Sequence, residues 1–247
     1  PKNAPEECNA NLNAKTTFGF DKAEYMGFSI GKSDFDVKID KGLMLIAPFS
    51  STVNSGKLNF GGSANFSEKP ALLKTPGQTK IFDNIQITQQ TSDALLSYVN
   101  PVFADATDVS GILNFDCEKL VVPLEKGFDK AIAITGTFSI TNMKLGSPLL
   151  NQIIQLTGGP AEPVITVQPT NFTVADGIIS YDNMQMDIDK YPVNFAGRIG
   201  LDKKMQMTVT LPWTRGGRRI TVPLKGTVNH PEIDMSKFIE TQVQQEL

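Results

Sequence analysis

The stretch NFTVADGIISYDNMQMDIDKYPVNFAGRIGLDKKMQMTVTLP, residues 171–212, decides the fold. Met184, Met186 and Ile188 alternate with Gln185, Asp187 and Asp189. The same beat returns at Val193 and Phe195, at Ile199 and Leu201, and at Met205, Met207, Val209 and Leu211. A period of two turns one face of a sheet apolar and leaves the other wet. The pattern continues to Lys237 as four or five short strands, then a Gly-Thr turn and a Pro-ended tail. No catalytic cluster interrupts it. A long amphipathic sheet without chemistry points to a surface that holds something apolar.

The chain has 247 residues, enough for one large all-β domain or two smaller ones. Its net charge of −3 comes from interspersed acids and bases, which argues against a nucleic-acid footprint. The one basic cluster, Arg215, Arg218 and Arg219, sits by a Gly-Gly turn and reads as a solvated hairpin loop. No run approaches the ~20 apolar residues of a membrane span. The first residues, PKNAPEECNANLNAK, carry neither the apolar core nor the positive start of a signal peptide. A start at Pro1 fits a processed or trimmed product.

Cys8 and Cys117 are the two cysteines, and neither has zinc-type spacing. In an oxidising compartment they can pair, and closing so long a loop stabilises by about 4–5 kcal/mol in the chain-entropy description. Two unrelated thiols are the alternative. His230 is the one histidine and lies in an Asn-His-Pro turn, so a Ser-His-Asp triad has no evident base. There is no GxSxG elbow. Thr157-Gly-Gly-Pro160 follows a helix and so cannot cradle phosphate at a helix start. Asp176, Asp182, Asp187 and Asp189 match no calcium loop and read as a solvated strand face. Nothing selects a carboxylate pair for glycoside hydrolysis. These readings give a non-enzyme with no cofactor and no metal.

Upstream, alternation recurs through Phe18, Phe20, Phe28, Ile30, Phe35, Val37 and Ile39, and through Leu58 and Phe60. Glu68 to Lys80, with Pro70, Pro76 and Gly77, reads as a loop or short helix. Leu95, Leu96 and Val99 are spaced as in a helix capped from Thr91, Ser92 or Asp93 and ended by Asn100-Pro101. Ser147-Pro148 opens a second helix, Leu149 to Leu156. Met235 to Leu247 suits a short terminal helix. Turns such as Asp40-Lys-Gly42, Ala175-Asp-Gly177 and Arg215-Gly-Gly217 imply antiparallel neighbours. A faint internal repeat relates Ser33-Asp-Phe-Asp-Val37 and Lys41-Gly-Leu43 to Thr170-Asn-Phe-Thr-Val174 and Asp176-Gly-Ile178. It also relates Asn59-Phe-Gly61 to Asn194-Phe-Ala-Gly197, with small gaps.

Three segments carry a resemblance. They are Phe172-Thr-Val-Ala-Asp-Gly-Ile-Ile-Ser180, then Val193-Asn-Phe-Ala-Gly-Arg-Ile-Gly-Leu-Asp202, then Val222-Pro-Leu-Lys-Gly-Thr-Val-Asn-His-Pro231-Glu-Ile-Asp234. Together they resemble the C-terminal region of AsmA-like proteins, the bacterial group that includes TamB, over residues 91–240 and loosely over 15–90. The resemblance implies a curved β-sheet with an apolar groove, a periplasmic or cell-envelope location, and phospholipid or another acyl lipid as partner. It also implies contact with a membrane surface or envelope proteins, with anchoring through a segment outside this chain.

The expected architecture is therefore mainly β. It is an elongated, curved antiparallel sheet, as groove or sandwich, with a few short helices. The expected organisation is a tail at 1–14, a first sheet unit at 15–90, a continuous second unit at 91–240, and a tail at 241–247. The expected function is lipid binding or transfer, with acyl chains along Met184, Met186, Phe195, Ile199, Met205, Met207 and Val209. The alternative is a structural or assembly protein whose apolar faces pack internally or against other subunits.

Overall fold

The computed structural model describes residues 13–104, 106–160, 162–212, 219–234 and 236. Its strands are β1 (Ala14–Phe20), β2 (Ala23–Tyr25), β3 (Phe28–Ile30), β4 (Ser33–Asp40), β5 (Leu43–Val53), β6 (Gly56–Asn65), β7 (Leu72–Lys74) and β8 (Thr79–Ile87). They continue as β9 (Thr107–Pro123), β10 (Ala133–Gly146), β11 (Ile165–Ala175), β12 (Ile178–Ile188), β13 (Tyr191–Gly200), β14 (Met205–Pro212), β15 (Arg219–Thr227) and β16 (His230–Ile233). The pieces Gln89–Thr91, Ser92–Leu96 and Ser97–Val99 run together as helix α1, followed by a 3-10 turn at Pro101–Phe103; α2 is Pro148–Thr157. The fold is mainly β, as the alternation requires. The strands form one antiparallel sheet in the order β1-β4-β5-β6-β7-β9-β10-β11-β12-β13-β14-β15-β16, with β3 pairing β2 and β5, and β8 pairing β6 and β9, off this path.

Several expectations shift. The segment from Glu68 to Lys80 contains a strand, β7, because Ser63 and Ala64 of β6 offer a free edge to Lys74 and Leu73. Thr107 to Pro123 runs as the single long strand β9. Helix α1 starts earlier than its apolar spacing shows. Its N-cap is Thr88, whose hydroxyl accepts from the Thr91 N–H at 3.2 Å. It ends before Asn100-Pro101, as expected. Helix α2 has Ser147 as N-cap, Pro148 in its first turn and Gly158 in the left-handed conformation after its end (φ +70°). The expected terminal helix and the Arg215-Gly-Gly217 turn lie outside the described residues.

Two compact units form. The first takes residues up to 85, with 114–136 and 174–177; the second takes 86–113, 137–173 and those from 178.

In the first unit, β4, β5 and β6 form a meander that β1 extends at one side. Lys41 and Gly42 both have positive φ (49° and 79°), the geometry of a tight hairpin turn. In the second unit, β12 to β16 form a meander whose apolar face carries the core. The turn into it, Asp176-Gly177, has the same geometry, with φ of 53° and 74°.

The likeness extends well past the turns. β5 and β12 each have 11 residues, and β6 and β13 each have 10. Leu43 pairs with Asn65 and Val53 with Gly56; Ile178 pairs with Gly200 and Ile188 with Tyr191. Each hairpin is interrupted once, between Ile46 and Phe49 in one and between Tyr181 and Met184 in the other. From the turn to the end of β6 and β13 one constant offset relates the two copies, with no gap. The next strand agrees: Ser63 pairs with Lys74 where Arg198 pairs with Gln206. Equivalent glycines allow that approach. A Cβ on Gly62 would meet the Lys74 carbonyl, and one on Gly197 the Gln206 carbonyl. The faint sequence repeat is thus a duplicated hairpin with a shared bulge.

At the last strand pair, Lys225 Nζ lies 2.8 Å from the Asp234 carboxylate, which also accepts from the Ser236 hydroxyl. Those two hydrogen bonds hold the Asp234 carboxyl down to about 2, from an ordinary 3.8. A depressed carboxyl stabilises fully above its unfolded value, and the stabilisation is lost as pH falls through the folded one. Unfolding of the chain monitored from pH 5 to pH 2 should therefore lose stability between about 4 and 2. Asp234→Asn should flatten that part of the profile. An unchanged profile in the variant would remove this ion pair from the acid response.

Candidate apolar binding surface

The residues expected to line a groove lie together in the second unit. Met184 stands opposite Phe195, Met186 opposite Val193, Ile199 opposite Met205, and Phe195 opposite Val209. The structure buries Met184, Met186, Phe195, Ile199, Met207 and Val209; Met205 is half-buried. Met205 and Met207 border a shallow open hollow with Ala196, Gly197, Pro223 and Leu224. The rest pack into a core. Helices supply the cover: α2 packs on β14 and β16, and the end of α1 on β13. Leu149, Leu150 and Ile153 of α2, with Leu96, Val102 and Phe103 of the α1 region, are buried.

One polar knot ties this roof to the sheet. Asn100, fully buried, donates from Nδ2 to the Tyr181 hydroxyl at 2.9 Å and toward Met184 Sδ at 3.4 Å. The Tyr181 hydroxyl in turn donates to the Val99 carbonyl at 3.0 Å. The Val102 N–H donates to Asn100 Oδ1 at 2.8 Å. Burial pushes the Tyr181 phenol far above its ordinary range, only partly offset by the Asn100 hydrogen bond. A phenol so placed holds its proton throughout the physiological range and serves packing rather than proton transfer. The alternation that marked these residues as apolar carried no sign of what covers them.

The acidic residues of the same region are engaged. Asp187 accepts from Gln168 and Gln185, and Asp189 from the Val164 N–H at 3.1 Å. Among the described residues no group of three or more His, Cys, Asp or Glu is placed to hold a metal ion. His230 is exposed at the start of β16, opposite Thr227. Cys117 is buried and its thiol pushed up by desolvation, while Cys8 lies outside the described residues.

The open apolar surface is in the first unit. Phe18, Phe35, Phe49 and Phe60 stand in a row across β1, β4, β5 and β6. Successive ring centroids are 6.0, 4.8 and 6.3 Å apart. The first two contacts are stacked and the third is edge-on, both favourable aromatic geometries. Register adds Ile39, Met44 and Ile46 to the same face, because Val37 opposes Ile46 and Ile39 opposes Met44. These side chains are half-buried, and Phe18 is 52% exposed. None of the residues that register places on this face of β1, β4, β5 and β6 is charged. The reverse face carries the polar contacts: Thr17 to Asp36 at 2.6 Å, Lys38 with Asp40 at 3.1 Å, and Ser50 to Asn59 at 2.7 Å. The phenylalanine alternation was visible in the sequence; its openness was not.

Asn100→Ala should cost about 1–3 kcal/mol of second-unit stability in denaturant unfolding, by leaving buried groups unpaired. A cost near zero would mean that the knot does not hold the roof.

No family model, no curated protein and no solved structure matches this chain.

Proposed function

We propose that the chain is a non-enzymatic lipid-binding module that lays acyl chains across the open aromatic face of its first unit. One observation carries this reading: a charge-free row of four phenylalanines, Phe18 exposed and Phe35, Phe49 and Phe60 half-buried, on a sheet whose other face carries the charged side chains. Contiguous exposed apolar surface of this kind marks an interaction site in soluble proteins. Removing it from water gains about 25 cal/mol per Å² and asks for no directional contact. Hydrocarbon chains meet that requirement with no polar group left to satisfy. The AsmA-like resemblance supports the same reading and carries the accompanying proposal of a cell-envelope location. Among the described residues no helix is long and apolar enough to cross a membrane.

The assembly reading has one observation of its own. Leu43 and Leu45 are exposed (42% and 43%) on the reverse face of β5. Register sets Leu45 opposite Lys38 and Leu43 opposite Asp40, so these two leucines sit beside charged side chains, whereas the phenylalanine row does not.

Native mass spectrometry with lipid extraction tests the proposal. The full chain should carry or take up phospholipid that denaturation releases. Phe35→Asp and Phe49→Asp should each remove at least nine-tenths of it while the chain stays folded, since a carboxylate there stays in contact with water. Met186→Asp should instead unfold the second unit, because it buries an unpaired charge. A folded Phe49→Asp chain that retains lipid unchanged would refute the siting.

A further inference from the structure

The duplicated hairpin allows the two copies to be compared position by position. Phe49 is equivalent to Met184, Phe60 to Phe195, Leu58 to Val193 and Met44 to Ile179. In the second copy these four are buried; in the first they are half-buried. The same face is therefore sealed in one copy and only partly covered in the other, where Val37, Ser51 and Val53 are buried but Met44, Ile46, Phe49, Leu58 and Phe60 are not. The roof of the second copy is made of aliphatic and aromatic side chains, among them Leu149, Leu150 and Ile153.

Two equivalent pairs on this face differ in kind. Ser51, buried with its hydroxyl donating to the Gly31 carbonyl at 3.1 Å, stands where Met186 does. Tyr181, which anchors the roof through Asn100 and the Val99 carbonyl, corresponds to Ile46. Where the second copy offers a hydroxyl to the polar groups of its cover, the first offers only carbon. A protein segment docked there in the manner of the roof would bury an amide and a carbonyl with no partner, at a cost of about 1–3 kcal/mol each. A hydrocarbon chain has nothing to satisfy.

Resting on the lipid reading above, we infer that the first unit recognises aliphatic hydrocarbon alone and does not read the headgroup. Affinity then follows the length of the acyl chain. Headgroup charge has no counterpart on the face and stays in solvent. Phe49 and Phe60 supply the contact area, and Ile46 excludes polar ligand atoms from the position that Tyr181 holds in the other copy.

The test is a calorimetric titration of the full chain with monomeric single-chain lipids. One series keeps a 14-carbon chain and varies the headgroup: phosphocholine, phosphoglycerol and the free carboxylate. A second keeps phosphocholine and shortens the chain. The expected result is a Kd constant within about twofold across headgroups and weakened about fourfold per methylene removed. Ile46→Asn should weaken every member of the headgroup series by the same factor. A headgroup preference above tenfold, or affinity indifferent to chain length, would overturn the inference and leave the lipid reading standing. No heat at two well-separated temperatures with any acyl ligand from a folded chain would overturn both, since apolar burial carries a large heat-capacity change. So would tighter binding of a synthetic peptide covering residues 147–158, the roof helix of the second copy.

Discussion

A sheet with one apolar face must have that face covered, and the rest of this structure follows from how the chain meets the demand. Strand alternation makes the demand, because each strand of the two meanders sends every second side chain to the same side. Register enforces it. A slip of one residue would turn Met184, Met186 and Ile188 to water, so the tight positive-φ turns and the shared bulge hold the pairing in place. The chain builds that hairpin twice and covers it fully once.

In the second copy the cover comes from segments distant in sequence. Helix α2 precedes the meander, and α1 lies further upstream between β8 and β9. Their apolar side chains close the core over Met184, Phe195 and Val209. The Asn100–Tyr181 pair adds a directional contact to an otherwise non-directional packing. Buried polar pairs of this type cost more when half-removed than they contribute when complete, which makes them good fixings for one arrangement. In the first copy the corresponding face is a row of phenylalanines with no such fixing. Rings give a large contact area with little rotamer freedom to lose. That combination suits a surface that binds non-polar matter loosely and releases it.

The β architecture was legible from alternation alone, down to the strands that carry Met184, Phe195 and Met207. Helix α2 was legible from Ser147-Pro148, because cap chemistry is local. Helix α1 was placed but its cap missed, since Thr88 belongs to the end of a strand-like run and resembles its neighbours. Strand β7 was hidden in a Pro-containing segment because pairing partners, not local composition, make it a strand. Alternation marked the apolar faces and not which of them is roofed. Period two reads the same for a roofed face and an open one, and the roof is written elsewhere in the chain. The duplication was faint for a related reason. Register survives while identities drift, as in Ile46 against Tyr181 and Phe49 against Met184, so the backbone keeps a relation that the side chains have mostly lost.

The central claim is that the first unit binds hydrocarbon on its aromatic face while the second is sealed by its own helices. Photocrosslinking with a fatty acid that carries a diazirine along its chain, followed by peptide mapping, tests it most directly. The account predicts adducts within residues 14–65, concentrated near Phe35, Phe49 and Phe60. Adducts concentrated within residues 178–212, on Met184, Met186 or Phe195, would contradict it, because they would show that the roofed copy opens and the bare one does not bind.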